Sequence, residues 1–240
     1  MAALKVPSLQ HLARNWRSDP DGVRRALVAL ATNSPTFSYN ALHGATRDLL
    51  VFGLPVEQVA EGIRRKVKRK DVRENLLGVL PLIDQHFRDE SPDFVQSVAR
   101  RYYPVARDLL VPFEPPLVYG VGGRLQFPWF SFWRRNPLVG EGLALFVTLV
   151  KEVLSQDPDL DSARFQVLDF SAPKGSPTRD LRVIDADDVP RISDDRKVEM
   201  LAVFAEGYRL AREELAGRGR PDDGDRPAAP DDPDQPRLFD

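Results

Sequence analysis

The sequence predicts an α+β fold: a helical N-terminal half, then a small, mostly antiparallel sheet with two packing helices, then a disordered C-terminal tail. Three observations carry this. Apolar residues recur three or four apart through the first hundred positions, the period of a one-sided helix. After Pro104 the chain turns to β-branched and aromatic runs broken by Pro and Gly, which is strand and turn chemistry. From Ala216 to Pro236 no aliphatic residue larger than Ala and no aromatic occurs. Such a segment has nothing to bury against the entropy of ordering its backbone. The divisions are residues 1–103, a helical region; 104–215, an α+β region packed on it; and 216–240, the tail.

In the first region Ser8 can cap a helix reaching Arg17, with Leu9, Leu12 and Trp16 on one stripe. Asp19-Pro20-Asp21 ends it, and Pro20 suits the first turn of a second helix carrying Val23, Leu27 and Leu30. A third helix, Ser38 to Val51, buries Tyr39, Leu42, Leu49 and Leu50, and Gly53-Leu54-Pro55 stops it. A fourth, from Pro55, uses Val56, Val59, Ile63 and Val67. A fifth, Asp71 to Phe87, is kinked at Pro81. Ser91-Pro92-Asp93 opens a short sixth helix, Phe94 to Tyr103.

In the second region Pro112, Pro115 and Pro116 confine residues 105–118 to a sheet edge or irregular extended chain. Residues 117–121 and 124–133 flank Gly122-Gly123, the signature of a tight hairpin turn with positive φ. The second arm is the most aromatic stretch of the chain. Leu143 to Leu154 is apolar on most sides and is expected at the centre of the core. Strands are expected at Arg164–Phe170 and Arg179–Asp185, and an amphipathic helix from Asp194 to Leu215.

Bulk composition excludes several chemistries. The chain has 240 residues and no cysteine, so disulfides, thiolate catalysis and Cys-based metal sites are out, which fits a reducing compartment. The start lacks the apolar core of a signal peptide, and the longest apolar stretch, Leu143–Val150, is too short to span a bilayer. The expectation is a cytoplasmic protein without membrane contact. The net charge is −2, and the last 25 residues hold seven Asp and four Arg. The remaining residues therefore sum to about +1, which does not suggest bulk attraction to nucleic acid.

Local candidates remain. Arg64, Arg65, Lys66, Lys68, Arg69 and Lys70 form a basic run interrupted only by Val67. Clustered cations of this kind can hold nucleic-acid phosphates and displace counterions. The alternative is a solvated helix face, with Glu57, Glu61, Asp71 and Glu74 neutralising part of it. Arg124, Gln126, Arg134 and Arg135 interleave with five aromatics between Phe127 and Trp133. Aromatics beside arginines can stack unpaired bases, although an arm apolar on both faces is better explained by core packing. His11, His43 and His86 lie on separate helices with no partner motif and are read as ordinary helix residues. No cofactor and no metal are indicated.

Asp169, Asp185, Asp187 and Asp188 fall at or just beyond strand ends, where paired carboxylates can hold Mg²⁺. The segment Leu168-Asp169-Phe170-Ser171-Ala172-Pro173-Lys174-Gly175 resembles the Asp-Tyr-Lys-Thr-Gly element of RecB-like nucleases of the PD-(D/E)XK class. The following helix, with Glu199, Phe204 and Tyr208, then stands where that family has its Gln/Tyr helix. The resemblance implies catalytic roles for Asp169, Asp185 and Lys174. The chain departs from the family pattern in having Ser171 at the position of the lysine, so that Lys174 would have to substitute for it.

The last six residues are Gln235-Pro236-Arg237-Leu238-Phe239-Asp240. Two large apolar side chains follow a stretch that has no core for them, which is the pattern of a ligand for a groove on another molecule. The spacing Gln-x-x-Leu-Phe resembles the pentapeptide by which bacterial proteins dock on the replication sliding clamp. That resemblance implies that Leu238 and Phe239 fill an apolar pocket and that Gln235 makes a polar contact. The expectation is a DNA replication or repair accessory protein tethered to the bacterial sliding clamp. The alternatives are an adaptor that binds another protein through the 117–133 hairpin, and a Mg²⁺-dependent or degenerate nuclease.

Overall fold

The computed structural model of the chain describes residues 4–32 and 38–217. Six helices come first: α1 (Leu9–Asn15), α2 (Pro20–Thr32), α3 (Asn40–Phe52), α4 (Val56–Lys66), α5 (Lys70–Leu77) and α6 (Leu80–Phe87). Their ends follow local chemistry. The Asp19 carboxylate accepts the Gly22 amide at 2.7 Å at the start of α2, serving one of the amides that a helix start leaves unpaired. Gly53 closes α3 in the left-handed conformation, φ 57°, which costs glycine no Cβ clash.

Two expectations for this region are corrected. Residues 71–87 form two helices, not one kinked helix. Pro81 has no N–H to give to the preceding turn, so the chain breaks at Gly78-Val79 and places Pro81 in the first turn of α6, where no donor is required. Residues 94–103 are not helical. Phe94–Gln96 is a strand, β1, and Arg101–Ala106 is another, β2. Pairing across space overrides the local helical spacing here. The Phe94 ring lies over Gly120, where a Cβ would approach the ring to 2.4 Å.

The remaining elements are β3 (Leu109–Phe113), β4 (Val118–Val121), β5 (Arg124–Ser131), α7 (Gly140–Leu154), β6 (Arg164–Asp169), β7 (Arg182–Asp185) and α8 (Asp194–Gly217). β2 and β3 pair as a two-stranded antiparallel ribbon, and the other five strands form a sheet in the order β1-β4-β5-β6-β7. Thus the segment expected as edge or irregular chain contains a regular hairpin. Pro104 and Pro112 are accommodated because a ribbon leaves one edge of each strand without a neighbour. In the sheet only β5 and β6 run parallel, paired from Gln126↔Arg164 to Ser131↔Asp169. The connection between them is α7, as a parallel pair requires a crossover. Gly122 and Gly123, at φ 56° and 74°, make the turn between β4 and β5.

Both faces of the sheet are covered. Phe127 and Trp129 of β5, with Phe165 and Val167 of β6, face a core formed with α1, α2, α7, α8 and the ribbon. Phe130, Phe132, Leu168 and Phe170 point the other way, into a core formed with α3 to α6. The two-residue alternation of a strand therefore serves two apolar layers, which is why the arm reads as continuously apolar. α7 supplies the centre of the first core, with Leu145, Phe146, Val147, Leu149 and Val150 fully buried. α8 crosses α2 at Gly207, where a Cβ would sit 2.5 Å from Val23 Cβ and 2.7 Å from the Pro20 carbonyl oxygen. Among the described residues no helix is long and apolar enough to cross a membrane.

Candidate functional site

The basic run turns a corner instead of lying on one helix face. Arg64, Arg65 and Lys66 end α4, Val67 is extended, and Lys70 begins α5. Cations in a last helical turn complement the helix dipole. All six basic residues are exposed, but four have carboxylate partners. Arg64 and Arg65 lie 3.6 and 3.2 Å from Glu61, Arg69 lies 2.7 Å from Asp71, and Lys70 lies 3.8 Å from Glu74. These are exposed pairs, weak enough to exchange for a phosphate. Lys66 and Lys68 make no ion pair among the described residues, so they are the cations already free for an external anion.

The aspartates do not converge. β6 and β7 are antiparallel, with Asp169 opposite Arg182 and Asp185 opposite Gln166. Three rungs separate the two carboxylates, about 10 Å at the usual rise per residue. Asp169 is only 4 % exposed. Its carboxylate accepts from the Ser171 amide at 3.1 Å, the Ser171 hydroxyl at 3.2 Å and Arg182 Nη2 at 3.1 Å. Asp185 pairs with Arg164 at 2.7 Å and accepts the Asp187 amide at 3.0 Å. These hydrogen bonds and Arg164 hold its carboxyl below the ordinary value despite the opposing effect of burial. Asp187 is ion-paired to Lys151, and Lys174 lies exposed in the loop after β6. No group of three or more metal-ligating side chains forms among the described residues. The structure therefore does not assemble the paired-carboxylate centre that the nuclease resemblance implies.

What sequence reasoning missed at this end of the sheet is Arg179. It is 8 % exposed and donates to the carbonyls of Phe132 and Phe170 at 2.9 and 2.8 Å and to Asn75 Oδ1 at 2.7 Å. Those carbonyls lie just past the last rung of the parallel β5–β6 pair, where the ladder supplies no further donors. Asn75 belongs to α5, so one guanidinium ties the strand ends to the helical layer. Burial pulls Arg179 below the usual guanidinium value. An arginine inside an otherwise polar loop carries no sequence signal of this role.

The aromatic arm is buried, so the 117–133 hairpin is core and not a docking face; only its turn, Gly122 to Arg124, is exposed. At the far end of β5, however, a cavity of about 640 Å³ opens between α1, α3 and the Glu114-Pro115-Pro116 segment. His11 and His43 both reach it. His11 packs 5.4 Å from Trp133, and His43 packs 5.1 Å from Phe132, ring centre to ring centre. Burial lowers both to about 4, helped at His11 by nearby Arg14, so both imidazoles are neutral at pH 7. Their separation along the chain concealed this convergence. His86 lies elsewhere, packed edge-on against Phe87.

Gln235, Leu238 and Phe239 lie outside the described residues. Comparison with protein-family models, with curated proteins and with solved structures finds no match to this chain.

Proposed function

We propose that the protein is an accessory factor in DNA replication or repair that docks on the bacterial sliding clamp through Gln235, Leu238 and Phe239. The observation that carries this reading is the peptide Gln235-Pro236-Arg237-Leu238-Phe239 itself. It is separated from the last helix residue, Gly217, by residues 218–234, which contain no aromatic and no aliphatic residue larger than Ala. Leu238 and Phe239 each stabilise a complex by roughly 1.5–3 kcal/mol when fully buried in a partner's pocket. That is enough for a weak contact that raises the local concentration of the body near DNA. The exposed corner Arg64–Lys70 supports a second, salt-sensitive contact with the phosphate backbone.

Calorimetric titration of purified clamp with the full chain tests the proposal. The double variant Leu238→Ala, Phe239→Ala abolishes binding and leaves the far-ultraviolet dichroism unchanged. Undiminished binding by that variant would remove the clamp from the account.

A further inference from the structure

We propose that the cavity at the end of β5 is a binding site for a nucleotide, with a planar heterocyclic base inside and a phosphate at Arg14. This inference does not rest on the clamp reading. The cavity exists because β4 stops short. β4 covers β5 only as far as Gln126, and β5 from Phe127 to Ser131 is paired on its β6 side alone. Continuing that antiparallel register would set Pro116 and Pro115 opposite Trp129 and Phe130. Neither proline has an N–H to extend the ladder. The chain departs there, and the gap is walled by rings from β5 and closed by α1 and α3.

Its lining holds polar atoms that the protein itself leaves unserved. Among the described residues, four buried side-chain polar atoms have no hydrogen-bond partner, and three belong to residues of this cavity: Ser8 Oγ, His43 Nδ1 and Trp129 Nε1. Each such atom costs about 1–3 kcal/mol when left unmet. Trp129 is 95 % buried, its exposure being 5 %, and an indole N–H can only donate. Ser8 stands at the N-cap of α1 but makes no side-chain cap bond, so its hydroxyl is not committed to the helix. An occupant must therefore offer an acceptor to Trp129 and mixed donor–acceptor character to Ser8 and His43. It must also be flat, to lie among Tyr39, Phe132 and Trp133. A nucleobase meets these demands, because its faces stack on aromatic rings and its edge carries both donors and acceptors.

The charge at the mouth completes the assignment. Arg14 stacks over Trp133 at 4.0 Å and gives Nη2 to the Arg135 carbonyl at 3.0 Å, which leaves further N–H groups for an anion. The cavity's one carboxylate, Glu114, is already ion-paired with Arg100. A single uncompensated cation beside a stacking slot suits one phosphate. The volume of about 640 Å³ lies within the usual range for small-ligand sites. The same chemistry is presented by a free nucleotide and by an unpaired nucleotide of a DNA strand.

Calorimetry on the full chain tests this with deoxythymidine monophosphate, deoxyadenosine monophosphate, thymidine and a short oligothymidylate. Saturable binding of a monophosphate is expected to weaken about tenfold in Trp129→Phe, which keeps the ring and deletes the N–H, as loss of one buried hydrogen bond implies. Ser8→Ala lowers affinity in the same way without removing a helix cap, and serves should Trp129→Phe fail to fold. Arg14→Gln weakens the monophosphates and spares thymidine. Binding of the oligonucleotide alone assigns the site to strands, and binding of the monophosphates as well assigns it to free nucleotides. Absence of binding by all four probes at millimolar concentration overturns the proposal. So does equal binding of naphthalene sulfonate, a flat anion without a hydrogen-bonding edge, indifferent to Trp129→Phe or Ser8→Ala.

Discussion

Replacing Arg179 by Met tests whether one buried guanidinium holds the two layers together. Methionine keeps an apolar stem of similar length and removes every donor. The carbonyls of Phe132 and Phe170 and the Asn75 amide oxygen then lose bonds of 2.9, 2.8 and 2.7 Å. An orphaned buried acceptor costs about 1–3 kcal/mol. Removing the charge also removes its desolvation cost, which offsets part of the loss. The expected net destabilisation is about 3–5 kcal/mol, a large share of the roughly 5–15 kcal/mol by which a domain is stable. At about 2–4 °C per kcal/mol for a chain of this size, the melting temperature falls by roughly 10 °C. Urea denaturation followed by tryptophan fluorescence measures this directly. Arg134→Met is the control: that side chain also donates to a carbonyl, of Pro177 at 2.7 Å, but at an exposed position, and its loss costs under about 1 kcal/mol. Equal, small effects from the two variants would refute the argument that burial makes Arg179 matter.

Gly207→Ala puts a Cβ against Val23 and the Pro20 carbonyl at the α2–α8 crossing; backbone contact cannot yield, so a loss of about 1–3 kcal/mol is expected by the same denaturation. Acid should destabilise the fold before its carboxylates titrate. His11 and His43 are held to about 4, below the model value 6.5, so the unfolded chain takes up protons first. The stability is complete above pH about 6.5 and falls as the pH drops through 4, by about 2 kcal/mol per histidine at pH 5. Burial shifts His86 in the same direction. Urea midpoints at pH 7 and pH 5 should converge in His43→Gln relative to the parent, and an unchanged difference would contradict the buried neutral imidazole. Lys66→Gln with Lys68→Gln should weaken DNA binding uniformly across sequences and lower its salt dependence by roughly two ions, read by fluorescence anisotropy at several salt concentrations.

Periodicity and turn chemistry were sufficient for the elements whose information is local. α2, α3 and α4, the Gly122-Gly123 hairpin, the apolar helix α7 and the final helix α8 are legible because caps, glycines and apolar spacing act within a few residues. β1 was not, since Phe94–Gln96 is a strand only through its pairing with β4 more than twenty residues later. Nor was the break between α5 and α6 placed correctly, because a proline inside a helix and one at a helix start differ only in what the preceding carbonyls meet.

The sequence by itself determined the α+β class, the apolar arm at the centre of the sheet, the basic corner and the peptide Gln235–Phe239. Only the tertiary structure decided that Asp169 and Asp185 stand at opposite ends of an antiparallel pair, and that Arg179 closes the open strand ends. It also brought Ser8, Arg14, His43 and Trp129 to one cavity. The physical reason is range. A cap or a turn is specified by neighbours along the chain, whereas a site is specified by strand direction and register, which hydrogen bonds between distant segments set.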